Sequence, residues 1–228
     1  MAGFDHIKNW VFDLDNTLYP PKYKLFDQID VNMTGYIKKY LGLGQDEAYA
    51  KQKYLYQTYG TTLNGLMAEH NIDPDEFLGH VHQIDTSDIP PNAELRNQLF
   101  RITEERENNR RIVYTNGTRK HAINVMDALE ITDMFDIIIG IRQTDFVPKP
   151  KAEAFDKFFK MVDINPKTSV MFEDLPVNLK VPKQRGMTTV LVQPAEVQHP
   201  DSKWAFDGND EHIEYKTKDL EGFLEEVI

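Results

Sequence analysis

The sequence predicts an α/β protein: a doubly wound parallel sheet with a small all-helical domain inserted after its first strand. Three observations carry that reading. Five short apolar runs rich in β-branched or aromatic residues, at 10–14, 112–114, 137–141, 170–172 and 189–192, have the length and character of strands buried on both faces. Helix-like segments at 120–129, 152–162 and 178–185 separate the last four of these runs, the alternation that places helices on both faces of a parallel sheet. Between positions 21 and 88 the strand pattern disappears, and four helical patterns take its place.

In chain order, the first strand at 10–14 runs into Asp15, Asn16 and Thr17, good turn and helix-cap chemistry. The helical patterns cover 26–41, 45–56, 63–70 and 74–82, punctuated by Gly42, Gly44, Gly60 and Asn71 and ended by Ile89-Pro90-Pro91. This divides the chain into a core of residues 1–20 and 88–228 and a helical cap at 21–87. The acidic run at 104–107, followed by Arg110 and Arg111, is expected to be a solvated helix face and end. After the strand at 189–192, residues 193–211 are rich in Pro, Asp and Gly and are expected to form a long surface loop before a last strand and helix.

Composition narrows the function. The chain has 228 residues, 40% hydrophobic and 28% charged, which suits a folded core. A formal net charge of -11 argues against a nucleic acid polymer as partner, because binding a phosphate backbone needs a basic surface. No apolar run approaches the roughly 18 residues of a spanning helix, and Met1 to Trp10 lacks a basic, then apolar, leader pattern, so a cytoplasmic protein with no membrane partner is expected. Zero cysteines remove disulfides, thiol nucleophiles and thiolate-bound metal. Oligomeric state is not legible.

Open parallel sheets bind ligands beyond the carboxyl ends of their strands, so the residues ending each run matter most. Strand one ends in Asp13 and Asp15, strand two in Thr115, Asn116 and Gly117, and strand four in Glu173 and Asp174. Carboxylates gathered there would repel one another unless a hard cation sat among them, and Mg2+ prefers oxygen ligands and bridges phosphate oxygens. Thr115 offers a hydroxyl, the Asn116 and Gly117 amides can face an anion, and Lys149 supplies a positive charge, with Lys151 beside it as a competitor for that role. Tyr59, Gly60 and Thr61 are candidates for a cap loop closing over substrate, weighed against plain helix packing. His80 and His82 do not share a helix face, which speaks against a metal site built on them.

Phe12-Asp13-Leu14-Asp15-Asn16-Thr17-Leu18-Tyr19-Pro20 resembles the first motif of haloacid dehalogenase-type phosphatases. Tyr114-Thr115-Asn116-Gly117 is similar to the second, Lys149-Pro150 to the third and Phe172-Glu173-Asp174 to the fourth, followed by Asn178 and Gly186-Met187. The resemblance spans about Lys8 to Val192. Tyr19-Pro20, Tyr59-Gly60-Thr61-Thr62 and Phe172-Glu173-Asp174-Leu175 are most similar to the pyrimidine 5'-nucleotidase branch, whose members carry a helical cap. The resemblance implies Asp13 as nucleophile and Asp15 as acid and base, with Thr115 and Lys149 holding the phosphoryl group. It also implies Mg2+ on Asp13, Glu173, Asp174 and the Asp15 carbonyl, and a small phosphorylated substrate such as a nucleoside monophosphate. A sugar-phosphate or metabolite phosphatase, a phosphoryl transferase and a catalytically silent binding domain are the alternatives.

Overall fold

Strand β1 (Asn9–Phe12) lies inside a wholly parallel sheet of order β3-β2-β1-β4-β5-β6. The other strands are β2 (Arg110–Tyr114), β3 (Ile137–Ile139), β4 (Ser169–Glu173), β5 (Thr188–Val192) and β6 (Tyr215–Thr217). The computed structural model describes residues 3–193, 208 and 210–228. The chain builds outward from β1 through β2 to β3, then crosses back to β4 on the other side of β1. The β1/β4 junction is therefore the point where connections change direction, the usual place for a ligand in such sheets.

Side chains alternate across the sheet, and each face has its own cluster. Trp10, Phe12, Val113, Phe172 and Val190 pack beneath α5 (Ala93–Glu104), α6 (Arg119–Ala128) and α9 (Leu220–Val227). Val11, Ile112, Tyr114, Met171 and Leu191 pack on the opposite face, against α7 (Ala152–Val162) and α8 (Pro176–Arg185). With both faces covered, the strands need apolar residues at every position, which is why they read as continuous runs.

The segment between β1 and α5 contains α1 (Leu25–Leu41), α2 (Gln45–Tyr59), α3 (Thr62–His70) and α4 (Pro74–Val81), with a separate apolar cluster around Ile37, Leu55, Leu66 and Phe77. The first three helices end where the sequence supplies left-handed backbone, at Gly42, Gly60 and Asn71. Ile141 and Phe146, from the loop after β3, pack into this cluster. The strand expected at 137–141 accordingly stops at Ile139: Ile141 turns away from the sheet to meet the insert.

Glu104, Glu105 and Glu107 are exposed at the end of α5, as their charges predict, but the arginines among and after them bond to backbone carbonyls. Arg106 donates to the carbonyls of Phe4, Val227 and Ile228. Arg110 reaches the carbonyls of Val162 and Asp163, and Arg111, 8% exposed, reaches that of Leu99. These guanidiniums satisfy buried carbonyls at the amino-terminal end of the sheet, a use of fixed, multiply donating geometry that a charge count does not reveal. The expected final strand and helix are β6 and α9, while residues 194–207 of the expected loop lie outside the described residues.

Candidate active site

Strand register brings the carboxylates together. Phe12 pairs with Phe172 on one side and Val113 on the other, so Asp13, the next residue, emerges beside Glu173 and Tyr114. One oxygen each from Asp13, Glu173 and Asp174 lies within 4.8 Å of the others. Lys149 enters from the loop after β3 and is 1% exposed. Its Nζ donates to Asp13 Oδ1 at 2.6 Å, Glu173 Oε2 at 2.6 Å and the Tyr114 carbonyl at 3.0 Å.

Asn116 fixes that lysine: its Nδ2 donates to the Lys149 carbonyl at 3.1 Å and its Oδ1 accepts from the Lys149 N–H at 2.8 Å. The Asn116 side chain is thus bonded to the Lys149 backbone rather than turned to a ligand. Those bonds leave the expectation for the Asn116 backbone N–H as it stood, whereas Gly117 differs from expectation, since its N–H donates to Thr115 Oγ1 at 2.9 Å. Accepting that bond leaves the Thr115 hydroxyl proton available to an anion. Space at Gly117 is tight: a Cβ there would stand 3.0 Å from the His121 ring and 3.3 Å from Thr115 Oγ1 and would press on both side chains.

Asp15 belongs to a neighbouring but separate set. Its Oδ1 accepts from the Tyr19 hydroxyl at 2.6 Å and lies 2.9 Å from His121 Nε2. The His121 ring stacks on that of His82, with centroids 4.5 Å apart and planes 12° from parallel. His82 comes from the end of α4 and its Nδ1 is 3.3 Å from Thr118 Oγ1. The motifs do not include His121, and the sequence raises His82 only beside His80, in a metal site that their spacing argues against. A usable signal existed: Thr118 caps α6 by accepting from the His121 N–H, and the first turn of a helix that follows a strand faces the strand ends.

Charge separates the two sets. Burial, with Glu173 adjacent, pushes the Asp13 carboxyl up to about 8, although Lys149 pulls it down. Burial, Glu173 and Asp13 raise the Asp174 carboxyl well above the usual carboxylate range. Burial also acts to raise Asp15, but the His121 ring, hydrogen bonds from His121 and Tyr19, and the more distant His82 outweigh it and hold the carboxyl low. Burial and the neighbouring His121 push His82 down to about 3, so its ring is neutral. Three buried carboxylates around one lysine carry surplus negative charge and an all-oxygen donor set, which fits a hard divalent cation. Asp15 gives its Oδ1 to Tyr19 and His121, and its carboxylate is not among the three that lie within 4.8 Å of one another.

The candidate cap residues are engaged within the insert. Tyr59 donates to Glu69 Oε1 at 3.1 Å, and Thr61 caps α3 by accepting from the Asn64 N–H at 3.1 Å. Asn64 is the α3 residue that reaches the core: with its amide turned to suit its neighbours, its nitrogen meets the Phe146 carbonyl at 3.0 Å and its oxygen meets Lys151 Nζ at 3.0 Å. Lys151 therefore stands at the insert boundary while Lys149 occupies the carboxylate cluster.

Comparison with known proteins agrees with this architecture. A crystal structure of a HAD phosphatase from Thermococcus onnurineus superposes with a TM-score of 0.61 at 16% identity, covering 97% of this chain and 98% of that one. The L-2-haloacid dehalogenase of Xanthobacter autotrophicus gives 0.57 at 15% identity, covering 97% and 98%. A putative beta-phosphoglucomutase from Thermotoga maritima gives 0.55 at 16%, covering 97% and 100%. In sequence, the chain is 29% identical over 161 residues to "Phosphate metabolism protein 8" of Saccharomyces cerevisiae, which covers 65% of this chain and 50% of that protein. The chain thus spans about half the length of this curated relative. Residues 7–184 match the family described as haloacid dehalogenase-like hydrolase, and these residues contain all four motifs: the chain belongs to that family.

Proposed function

We propose that this chain is a Mg2+-dependent phosphatase that hydrolyses small phosphate monoesters through an aspartyl-phosphate on Asp13. The observation that carries the reading is the presence of two aspartates, two residues apart, in opposite electrostatic settings. Asp13 sits in a carboxylate cluster with Lys149, and Asp15 is turned aside onto Tyr19 and His121. Two neighbouring carboxylates with different partners can divide the labour of nucleophile and acid; in the metal-free protein the shifts run against those roles, so bound Mg2+ has to favour the ionised Asp13 and the charge of the incoming phosphate has to favour the protonated Asp15.

In the first half-reaction an Asp13 oxygen bonds phosphorus, the bond from phosphorus to the leaving oxygen breaks, and Asp15 gives that oxygen its proton. In the second, a water oxygen bonds phosphorus while Asp15 takes its proton; the bond to Asp13 breaks and inorganic phosphate departs. Lys149 and the Thr115 hydroxyl hold the phosphoryl oxygens through the sequence. Asp13, Glu173, Asp174 and the Asp15 carbonyl are the groups that would hold Mg2+, which when bound neutralises charge on the phosphoryl oxygens. Asp15 also bears on the choice of reaction. A halide departs without a proton, whereas an alkoxide needs one, so an acid at this position favours phosphate esters over haloacids.

A pyrimidine nucleoside monophosphate is the leading substrate, supported by the resemblance of Tyr19-Pro20 and Phe172-Glu173-Asp174-Leu175 to the nucleotidase branch. The reading places the protein in the cytoplasm, where such substrates occur; among the described residues no helix is long and apolar enough to cross a membrane. The test is phosphate release from nucleotides, sugar phosphates and an aryl phosphate, with and without Mg2+. Preference for UMP or CMP is expected, with activity lost on chelation and restored by Mg2+. Broad activity would favour a metabolite phosphatase, and turnover indifferent to chelator would remove the metal from the account. Asp13→Asn should abolish turnover at unchanged fold.

A further inference from the structure

Resting on the phosphatase reading, we propose that Tyr19 and His121 are positioning residues that hold Oδ1 of Asp15 and so reserve Oδ2 as the oxygen that gives and takes the proton. Both donors converge on the same oxygen, at 2.6 Å from the Tyr19 hydroxyl and 2.9 Å from His121 Nε2. A carboxylate oxygen accepting two such bonds in a buried setting is occupied, and rotating it away would strand two buried polar groups. The proton to be transferred is therefore carried by the other oxygen, whose direction is fixed once Oδ1 is held.

The two donors are themselves held. Tyr19 is 1% exposed and lies in the apolar cluster beneath the sheet, on the turn that follows β1. His121 is 1% exposed, anchored through its N–H to the Thr118 cap and covered by the ring of His82. His82 belongs to the inserted segment, so the seating of α4 on the core bears directly on the ring that orients Asp15. The side chains of Tyr19 and His121 hydrogen-bond Asp15 and none of Asp13, Glu173 and Asp174, so their effect should pass chiefly through Asp15.

This arrangement makes a prediction that a merely structural role does not. Protonation matters for an alkyl phosphate, whose leaving oxygen is strongly basic, and hardly matters for formation of the phosphoenzyme from an aryl phosphate with an acidic phenol. The experiment compares His121→Asn and Tyr19→Phe with wild type at saturating Mg2+, on an alkyl and an aryl monophosphate, following both steady-state turnover and the first equivalent of phenol released. Tyr19→Phe keeps the ring and removes one hydroxyl, so it serves if His121→Asn proves unstable, and circular dichroism checks both folds.

For the alkyl ester, kcat is expected to fall on the order of 10- to 100-fold with KM within about 3-fold of wild type. For the aryl ester, the first equivalent of phenol should appear within about 3-fold of the wild-type rate, followed by a slowed steady state, because only the second half-reaction still needs Asp15. In an Asp15→Asn background neither substitution should cost anything further. Equal losses on both esters in the first half-reaction, a rise in KM alone, or full additivity with Asp15→Asn would overturn the inference while leaving the phosphatase reading standing. A wild-type protein inert on both esters, or one indifferent to Asp15→Asn, would overturn that reading and this inference with it.

Discussion

For the proposed attack on phosphorus Asp13 has to be ionised, yet its surroundings resist its charge. Its carboxyl is pushed up to about 8 by burial and by Glu173, so the metal-free protein holds a proton there that the unfolded chain, with an ordinary value of 3.8, releases. A folded value above the unfolded one means that this group's contribution is fully present below the unfolded value and is lost as pH rises through the folded one. Between about pH 4 and pH 8 the metal-free protein should therefore lose stability from this source, and Mg2+ should restore it by favouring the ionised form. The rise in Tm on adding Mg2+ is expected to be larger near pH 8 than near pH 5; a rise independent of pH would show that the ion binds elsewhere. His82 works in the opposite sense. Its folded value of about 3 lies below the unfolded 6.5, so its contribution is present above 6.5 and lost as pH falls toward 3. At this scale the gathering of Asp13, Lys149, Glu173 and Asp174 at the strand ends, with Asp15 beside them, was legible, because each ends a strand or turn that the apolar runs locate. The bonds from Tyr19 and His121 to Asp15 are not readable in the sequence, where Tyr19 appears only within the first motif and His121 only by its place in the first turn of a capped helix after a strand.

Among the elements, the loop from Gly140 to Lys151 does more than its sequence suggests. It starts where backbones nearly touch: a Cβ on Gly140 would stand 2.6 Å from the Arg119 nitrogen and 2.7 Å from the Gly117 carbonyl oxygen. It then supplies Ile141 and Phe146 to the helical cluster, Arg142 to an ion pair with Asp75 of α4, and Lys149 to the carboxylates. Beside the Asn64 hydrogen bonds, an ion pair and an apolar contact join the loop to the insert, and their magnitudes differ. The Arg142–Asp75 pair is exposed on both sides, at 60% and 48%, so Asp75→Ala should cost less than about 1 kcal/mol. Ile141 is 3% exposed among apolar side chains, so Ile141→Ala should cost about 2–5 kcal/mol. Urea unfolding of the two variants distinguishes them, and comparable losses would mean that the ion pair holds the insert in place. Sequence periodicity found all four helices of the insert to within a few residues, since their apolar faces and glycine stops are local. It extended β3 two residues too far because Ile141 is as apolar as a strand residue, and only tertiary structure decides which cluster takes it.

For the molecule as a whole, three apolar clusters account for the arrangement: one on each face of the sheet and one inside the insert. We propose that the insert at 21–87 acts as a cap, joined to the sheet through the segments around Tyr19 to Lys24 and His82 to Asn92, whose movement admits substrate and excludes water. Hydrogen exchange is expected to be slowest in β1, β2, β4 and β5, and a phosphate analogue with Mg2+ should slow exchange chiefly at the start of α3 and in the loop from Gly140 to Lys151. Protection confined to the strand ends would argue that the insert does not close on ligand. The doubly wound architecture was legible because strands covered on both faces must be apolar throughout, and alternation with helices then fixes a parallel sheet. The arginine staples at Arg106, Arg110 and Arg111 were not, since a guanidinium bonded to buried carbonyls and one bathed in water look alike in sequence.

Covalent chemistry at Asp13 is the centre of the account, and the most direct measurement is chemical trapping. The protein is mixed with Mg2+ and an aryl phosphate, quenched during turnover, reduced with borohydride and mapped by peptide mass spectrometry. An acyl phosphate is reduced by borohydride to the alcohol, so homoserine should appear at position 13 only when substrate and Mg2+ are both present, and never in Asp13→Asn. Turnover with no reduction at Asp13, or reduction at a different carboxylate such as Asp15 or Glu173, would contradict it.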